Sequence, residues 1–417
     1  MIKIIAMFAL LTGSAYAGDS GAVDKADTLW VLISSTFVLF MLPGLAVFYT
    51  GMVSAKNTLS TMLYSFVSIF VVGLIWVFAG HSLAFAPGGN AFIGGTLYLG
   101  FSNVMTAVRG SIPEPIFAMF QGMFAIITCA LLSGSIVERV KFSAFVMFIA
   151  VWSIVVYAPV AHWVWGGGFL GGFGVLDFAG GIVVHFTSAV AALVFIIVLG
   201  NRDGFPRHQF LPHNLMLTVF GTGLLWFGWF GFNAGSALGV NDTAYLAFVN
   251  TFIAGCGGGL SWSLMEYRHG KTTALGISSG IVAGLASVTN AAGYVSPVFA
   301  LVIGLMGGVL CYLAVFLKFK LKYDDSLDVI GIHGVGGVWG ALATGLFASV
   351  GGTGLFYGNP KQFLVQLGSL GVVLVYTVIV TFAILKLVDK AVGLRVTRED
   401  ETLGLDRSQH GETAYNS

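Results

Sequence analysis

The sequence predicts an all-α polytopic membrane protein. It comprises eleven transmembrane helices, two inverted five-helix halves plus an eleventh helix, with the N-terminus outside and the C-terminus cytoplasmic. Three observations carry that reading. Of 417 residues, 57% are hydrophobic and 9% are charged, with a mean hydropathy of +0.92, far too little charge for a soluble fold. Apolar runs long enough to cross or nearly cross a bilayer recur at 29–53, 61–85, 116–137, 142–163, 178–200, 215–237, 244–266, 273–290, 295–317, 328–350 and 363–387. With the N-terminus outside, the inner segments hold fifteen Lys and Arg, from Lys56 and Arg139 to Arg407. The outer ones hold Lys25, Arg109 and Lys361. A missed helix would invert every later loop and destroy that asymmetry.

Residues 1–17 read as a cleavable signal peptide: Lys3 is the basic end, Ile4 to Leu11 the apolar stretch, and Ala15-Tyr16-Ala17 the small-x-small cleavage site. The outer loop 86–115 bears Gly and Pro and shows no periodic pattern. Residues 18–392 form the membrane domain, and 393–417 a polar cytoplasmic tail. Among 58 glycines, Gly280-x-x-x-Gly284 and Gly304-x-x-x-Gly308 fit close helix contacts. Cys129, Cys256 and Cys311 lie in apolar spans without metal spacing and read as packing residues. The formal net charge of +1 gives no footprint for nucleic acid. Glu138-Arg139 reads as a structural pair at the inner face, and His81 and His162 as interfacial groups near outer helix ends.

Two spans stand apart. The run from Asp177 to Gly200 begins with a carboxylate that can accept from free N–H groups and meet the helix dipole. It then carries a single ionisable side chain, His185, about 12 Å along the helix axis. An ionisable group at that depth is a functional-site hypothesis. The run from Asp328 to Val350 repeats the pattern with His333, about 7.5 Å along. They are the fifth and tenth spans, hence antiparallel, as inverted repeats with a midplane site would be. Depth arithmetic on straight helices allows the two histidines to lie a turn or more apart. A core histidine satisfied by a hydroxyl or carbonyl is the plain alternative for each.

Several long motifs resemble the ammonium transporter (Amt/MEP/Rh) family, in its bacterial Amt branch. They are FQGMFAIITCALLSGSIVERVKFSAF (120–145), VWGGGFL (164–170), DFAGGIVVHFTSA (177–189), LPHNL (211–215), GWFGFNAGSA (228–237), DDSLDVIGIHGVGG (324–337) and GLDRSQHGETAY (404–415). The resemblance implies an inner-membrane homotrimer with one pore per subunit, serving nitrogen uptake. It implies an outer recruitment site of Phe124, Trp165 and Ser236, a gate of Phe124 and Phe232, and a pore lined by His185 and His333. Asp177, Trp229, Thr289, Phe48 and Tyr49 are implied as supporting positions. The tail resembles a regulatory C-terminus that docks a PII-type nitrogen-signalling protein. No enzymatic activity, cofactor or metal is implied. The chain departs from the family pattern at Thr50, which adds bulk at a close helix contact, and at Asn290, which replaces a rigid Pro turn.

These residue types suit ammonium. Trp165 and Phe124 can offer cation–π attraction of about 0.5–2 kcal/mol each, and Ser236 can accept an N–H. Carrying the intact ion through an apolar tube costs tens of kcal/mol by a Born estimate, which neutral ammonia avoids. Neutral imidazoles each offer a donor and an acceptor. The competing readings fit less well. The chain lacks paired Asn-Pro-Ala motifs of water channels, its one Asn-Pro being Asn359-Pro360. It has no deep Asp or Glu for sodium coupling. A membrane cytochrome would use His185 and His333 as haem ligands. An ammonium sensor of the same fold with little transport completes the alternatives.

Overall fold

The computed structural model describes residues 23–415; the signal peptide expected at 1–17 lies outside them. Ten helices among the described residues are long and apolar enough to cross a bilayer: α1 (Lys25–Met52), α2 (Ala55–Phe85), α3 (Glu114–Ile136), α4 (Phe142–Gly172), α5 (Gly181–Leu199), α6 (Leu215–Gly235), α7 (Asp242–Tyr267), α9 (Pro297–Leu321), α10 (Ile330–Phe347) and α11 (Pro360–Val392). Between α7 and α9 lies α8 (Ala274–Thr289), apolar but 16 residues long, so about 24 Å in length. Two short helices, α12 (Arg398–Leu403) and α13 (Leu405–His410), form the tail.

The surface of the bundle is apolar where a soluble protein's would be polar. Phe66, Phe70 and Leu74 form an exposed stripe at i, i+4, i+8 on α2. Such a face is stable only against lipid or another chain. The chain is a multi-pass membrane protein. Inside, small residues set the helix spacing. A Cβ on Gly284 of α8 would lie 2.1 Å from the Ala254 carbonyl of α7, and one on Gly304 of α9 would lie 2.4 Å from the same oxygen. Thus α7 is gripped from two sides by the two glycine motifs. The α1–α6 contact is equally close, with Gly51 against Thr218. That approach is made by Gly51 rather than Thr50, whose buried hydroxyl donates to the Thr58 carbonyl.

The outer loop is structured, contrary to its sequence pattern. It contains a hairpin of β1 (Val108–Arg109) and β2 (Ile112–Pro113), antiparallel, with Arg109 opposite Ile112. These strands are two residues each, too short to leave a period in the sequence. At the opposite end, Glu138 and Arg139 do not pair with each other. Arg202 bridges Glu138 and Asp324, while Arg139 reaches the Asp324 and Val137 carbonyls and Ser326. The Arg202 guanidinium holds both carboxyls below their ordinary range, and is itself pushed up by them. The tail folds back onto this end. Asp406 of α13 accepts from the Leu59 and Ser60 amides near the start of α2, and Lys56 donates to the Glu401 and Thr402 carbonyls.

Candidate functional site

The loop before α5 is organised by Asp177. Its Oδ1 accepts from the Gly180 and Gly181 amides at 2.9 and 2.7 Å, and its Oδ2 from Ile182 and Val183 at 2.9 Å each. Four N–H groups that a helix start leaves orphaned are thereby satisfied by one carboxylate. Gly180 has φ +109°, a conformation that a side chain would strain. The first turn of α5 is wide: the His185 amide donates to the Gly180 carbonyl, five residues back.

The second histidine segment repeats this geometry. Val335 donates to Ile330, again five residues back. Its carboxylate is not the one expected from sequence. Asp325, not Asp328, accepts from the Val329 and Ile330 amides and from the Ser135 hydroxyl. Asp328 sits at φ +63° and pairs with Lys318. Wide turns of this kind recur at functional sites because they re-aim a side chain within a helix.

The outcome is contact. His185 Nδ1 and His333 Nδ1 are 3.2 Å apart, with ring centroids at 5.1 Å. Two nitrogens at that distance share one hydrogen: one ring donates from Nδ1 and the other accepts. The donor ring then keeps a bare Nε2 and the acceptor ring an Nε2–H. His185 Nε2 has no hydrogen-bond partner among the described residues. The rings touch directly, so no macrocycle fits between them, and the haem reading fails. The cavity beside them holds about 10 Å³, the scale of a single water. Leu45, Phe48, Leu131 and Val184 wall it with apolar groups.

Above His185, Phe232 and Phe124 are stacked, centroids 4.1 Å apart at 20°. Phe124 in turn meets Trp165 edge-on at 6.1 Å. Both face a vestibule of about 380 Å³ that Ser236, Gln121 and Asp177 also line. The Trp165 indole is fixed by donating to the Asp177 carbonyl at 2.7 Å. The Ser236 hydroxyl donates to the Phe232 carbonyl, leaving its lone pairs free to accept. The structure therefore brings Phe124, Trp165 and Ser236 to one cavity, and Phe232, His185 and His333 beneath it.

The supporting positions divide. Trp229 stacks on His185 at 5.4 Å and donates to Thr289. Phe48 lines the lumen, whereas Tyr49 points its hydroxyl to the Leu131 carbonyl in the packed core. Asn290 is a connector: its amide donates to the Leu176 carbonyl and to Thr344, tying the Asp177 loop to α10.

Two histidines were misjudged from sequence as interfacial. His162 is buried and bridges the Ala84 and Asn90 carbonyls. His81 is fully buried against Glu114, 33 positions away, a pairing that no local signal announces.

The profile of the Ammonium Transporter Family matches residues 29–415. An ammonium transporter of Bacillus subtilis is 48% identical over 404 residues, spanning 94% of this chain and 99% of its own length. The crystal structure of Saccharomyces cerevisiae Mep2 superposes with a TM-score of 0.85 at 37% identity, covering 93% of this chain and 92% of that one. A structure named Sensor Amt Protein gives 0.86 at 30% identity, covering 92% and 98%. Motifs, fold and relatives agree, and the chain belongs to the ammonium transporter family.

Proposed function

We propose that this protein takes up ammonium by splitting it. The ion is recruited in the outer vestibule between Trp165, Phe124 and Ser236, loses its proton at the Phe124–Phe232 stack, and crosses as ammonia past His185 and His333. The observation that carries this is the His185–His333 contact beside a cavity of about 10 Å³ walled mostly by apolar side chains. A cation there would lose its hydration without oxygen ligands to replace it, which also excludes sodium and potassium. Ammonia needs one acceptor and one donor, and the shared hydrogen leaves one of each on the pair. The released proton follows a separate route.

On this reading the chain crosses the inner membrane eleven times, α8 included, with its N-terminus outside after signal removal. The halves related by inversion are α1–α5 and α6–α10. The protein works as a homotrimer, and the tail on the cytoplasmic face receives a PII-type protein. The likeness to a structure named as a sensor supports the second reading, an ammonium sensor of low flux.

The test is the current from reconstituted proteoliposomes on a supported membrane after an ammonium jump. Wild type should give a current that sodium and potassium jumps do not, and His185→Ala should alter it. Neither current nor ammonia flux, with ammonium still bound, would overturn transport in favour of the sensor.

A further inference from the structure

The vestibule wall contains charges that the mechanism above does not use. Arg109, on β1 of the outer hairpin, lines the same cavity as Phe124 and Trp165. Its Nε donates to Glu114 Oε2 at 2.8 Å, and its Nη2 to Glu114 Oε1 at 3.1 Å and to the Phe85 carbonyl at 3.0 Å. The guanidinium also lies over the Phe117 ring, 4.4 Å from its centroid. This is a bidentate, stacked clamp, the geometry in which arginine is held most firmly.

The two charges are unequally placed. The Arg109 side chain is 31% exposed and that of Glu114 is 1% exposed. Glu114 is held from behind by fully buried His81, at 2.9 Å. His81 is itself enclosed by Trp76, Phe85, Tyr98, Phe101 and Phe117. Phe117, Gln121 and Phe124 follow at i, i+4, i+7 on α3, and all three line the cavity. Phe117, under the Arg109 guanidinium, is thus about 10 Å along the helix from the recruitment phenyl.

We infer that the Arg109–Glu114 pair sets the cation affinity of the vestibule, with His81 as the positioning residue that holds the carboxylate in place. The pair does two things. It presents a fixed positive charge at the mouth, balanced by a negative one behind it. It also occupies the Phe117 face, so that ring is not a competing parking place for ammonium. The inference rests on the ammonium reading above, because it concerns how strongly that substrate is captured.

The charge argument makes signed predictions. Removing the carboxylate leaves Arg109 unbalanced and should repel ammonium. Removing the guanidinium leaves Glu114 unbalanced and should attract it. At about 10 Å through wet surroundings, each effect is about two- to fourfold in KM. The double variant restores neutrality and should return KM to near the wild-type value.

The experiment measures KM for ammonium-evoked current in proteoliposomes for wild type, E114Q, R109Q and R109Q/E114Q, at low and high ionic strength. KM should rise in E114Q, fall in R109Q and recover in the double variant, with both shifts shrinking at high salt. R109Q alters a partly exposed side chain and carries the test alone if E114Q does not fold. R109Q/H81N also replaces the imidazole beside Glu114, so that the carboxylate is the one charge left in the clamp; it too should show a lowered KM. If both single variants raise KM, or if R109Q and R109Q/H81N leave it unchanged, the pair is only a loop clamp and the inference is wrong. A wild-type protein without ammonium current or flux would instead remove the transport reading.

Discussion

Trp229 donates its indole N–H to Thr289 Oγ1 at 2.8 Å, and both groups are buried. The bond joins a wall of the lumen to the loop above it, because the Thr289 carbonyl also accepts from the Ala179 amide. Thr289→Val keeps the shape and removes the acceptor. It should cost about 1–3 kcal/mol, the penalty for a buried unpaired donor. Thermal unfolding in detergent should show the loss, and Thr289→Ser, which keeps the acceptor, should recover much of it. No recovery would mean that the bond is incidental.

Asp177→Asn should be harsher. An amide offers one acceptor oxygen where the carboxylate offers two, so at least two of the four N–H groups it serves lose their partner. At about 1–3 kcal/mol each, the start of α5 should loosen. Hydrogen exchange at Gly180 to Val183 should accelerate by at least about tenfold. Exchange at the wild-type rate would show that water replaces the carboxylate without loss.

The inner cluster predicts a pH dependence. Glu138 and Asp324 have folded pKa values below the ordinary 4.5 and 3.8 because Arg202 sits against both. Lowered carboxyl pKa values contribute stability that is complete above the unfolded values and is lost as pH falls through the folded ones. The protein should therefore resist acid from neutrality to about pH 4 and weaken below it. Arg202→Met leaves two buried carboxylates without their main partner and should cost about 3–5 kcal/mol at neutral pH. In the same variant protonation relieves the unpaired carboxylates, so the cost should shrink as pH falls and the acid limb should flatten. Tm measured against pH checks both, and an acid limb as steep as the wild type's would contradict the pairing.

The tail is held by a cap borrowed from the far end of the chain. Asp406→Ala removes the acceptor for the Leu59 and Ser60 amides, worth about 1 kcal/mol as a cap. Trypsin should then cut after Arg398 or Arg407 roughly fivefold faster, as loss of that free energy from the docked state implies. Unchanged cleavage would show that the remaining contacts, those of Lys56 and of Asn57 with the Leu405 amide among them, suffice.

Gly284→Ala tests the helix grip. Its methyl would lie 2.1 Å from the Ala254 carbonyl, so α7 and α8 must separate, at a cost of about 1–3 kcal/mol. Gly223→Ala, with open space at that position, is the control and should be near neutral.

Much of the bundle was legible because hydropathy is a bulk property of long runs. The α3 helix was expected at 116–137 and is found at Glu114–Ile136. His185 and His333 stood out because each is the one ionisable group deep in an apolar span. Their contact was not legible. The arithmetic assumed uniform helices, and the wide turns at Gly181–Phe186 and Ile330–Gly334 break that assumption. Asp325 was overlooked for Asp328 because the capping carboxylate reaches forward over several residues rather than sitting at the boundary. The partners of His81 are set by tertiary packing, and nothing at position 81 foretells a glutamate at 114.

The wide turns also bear on how the gene can change. A turn closed five residues back accommodates one residue more than a regular helical turn. Deleting one residue from such a turn would restore regular winding and swing the imidazole by about 100° around the axis. The two histidine segments should therefore tolerate conservative substitutions at 182–184, 330 and 332 yet reject any change of length there. Codon deletions scanned across α5 and α10 would show function collapsing at those turns, while deletions in the outer loop 350–358 leave the lumen intact.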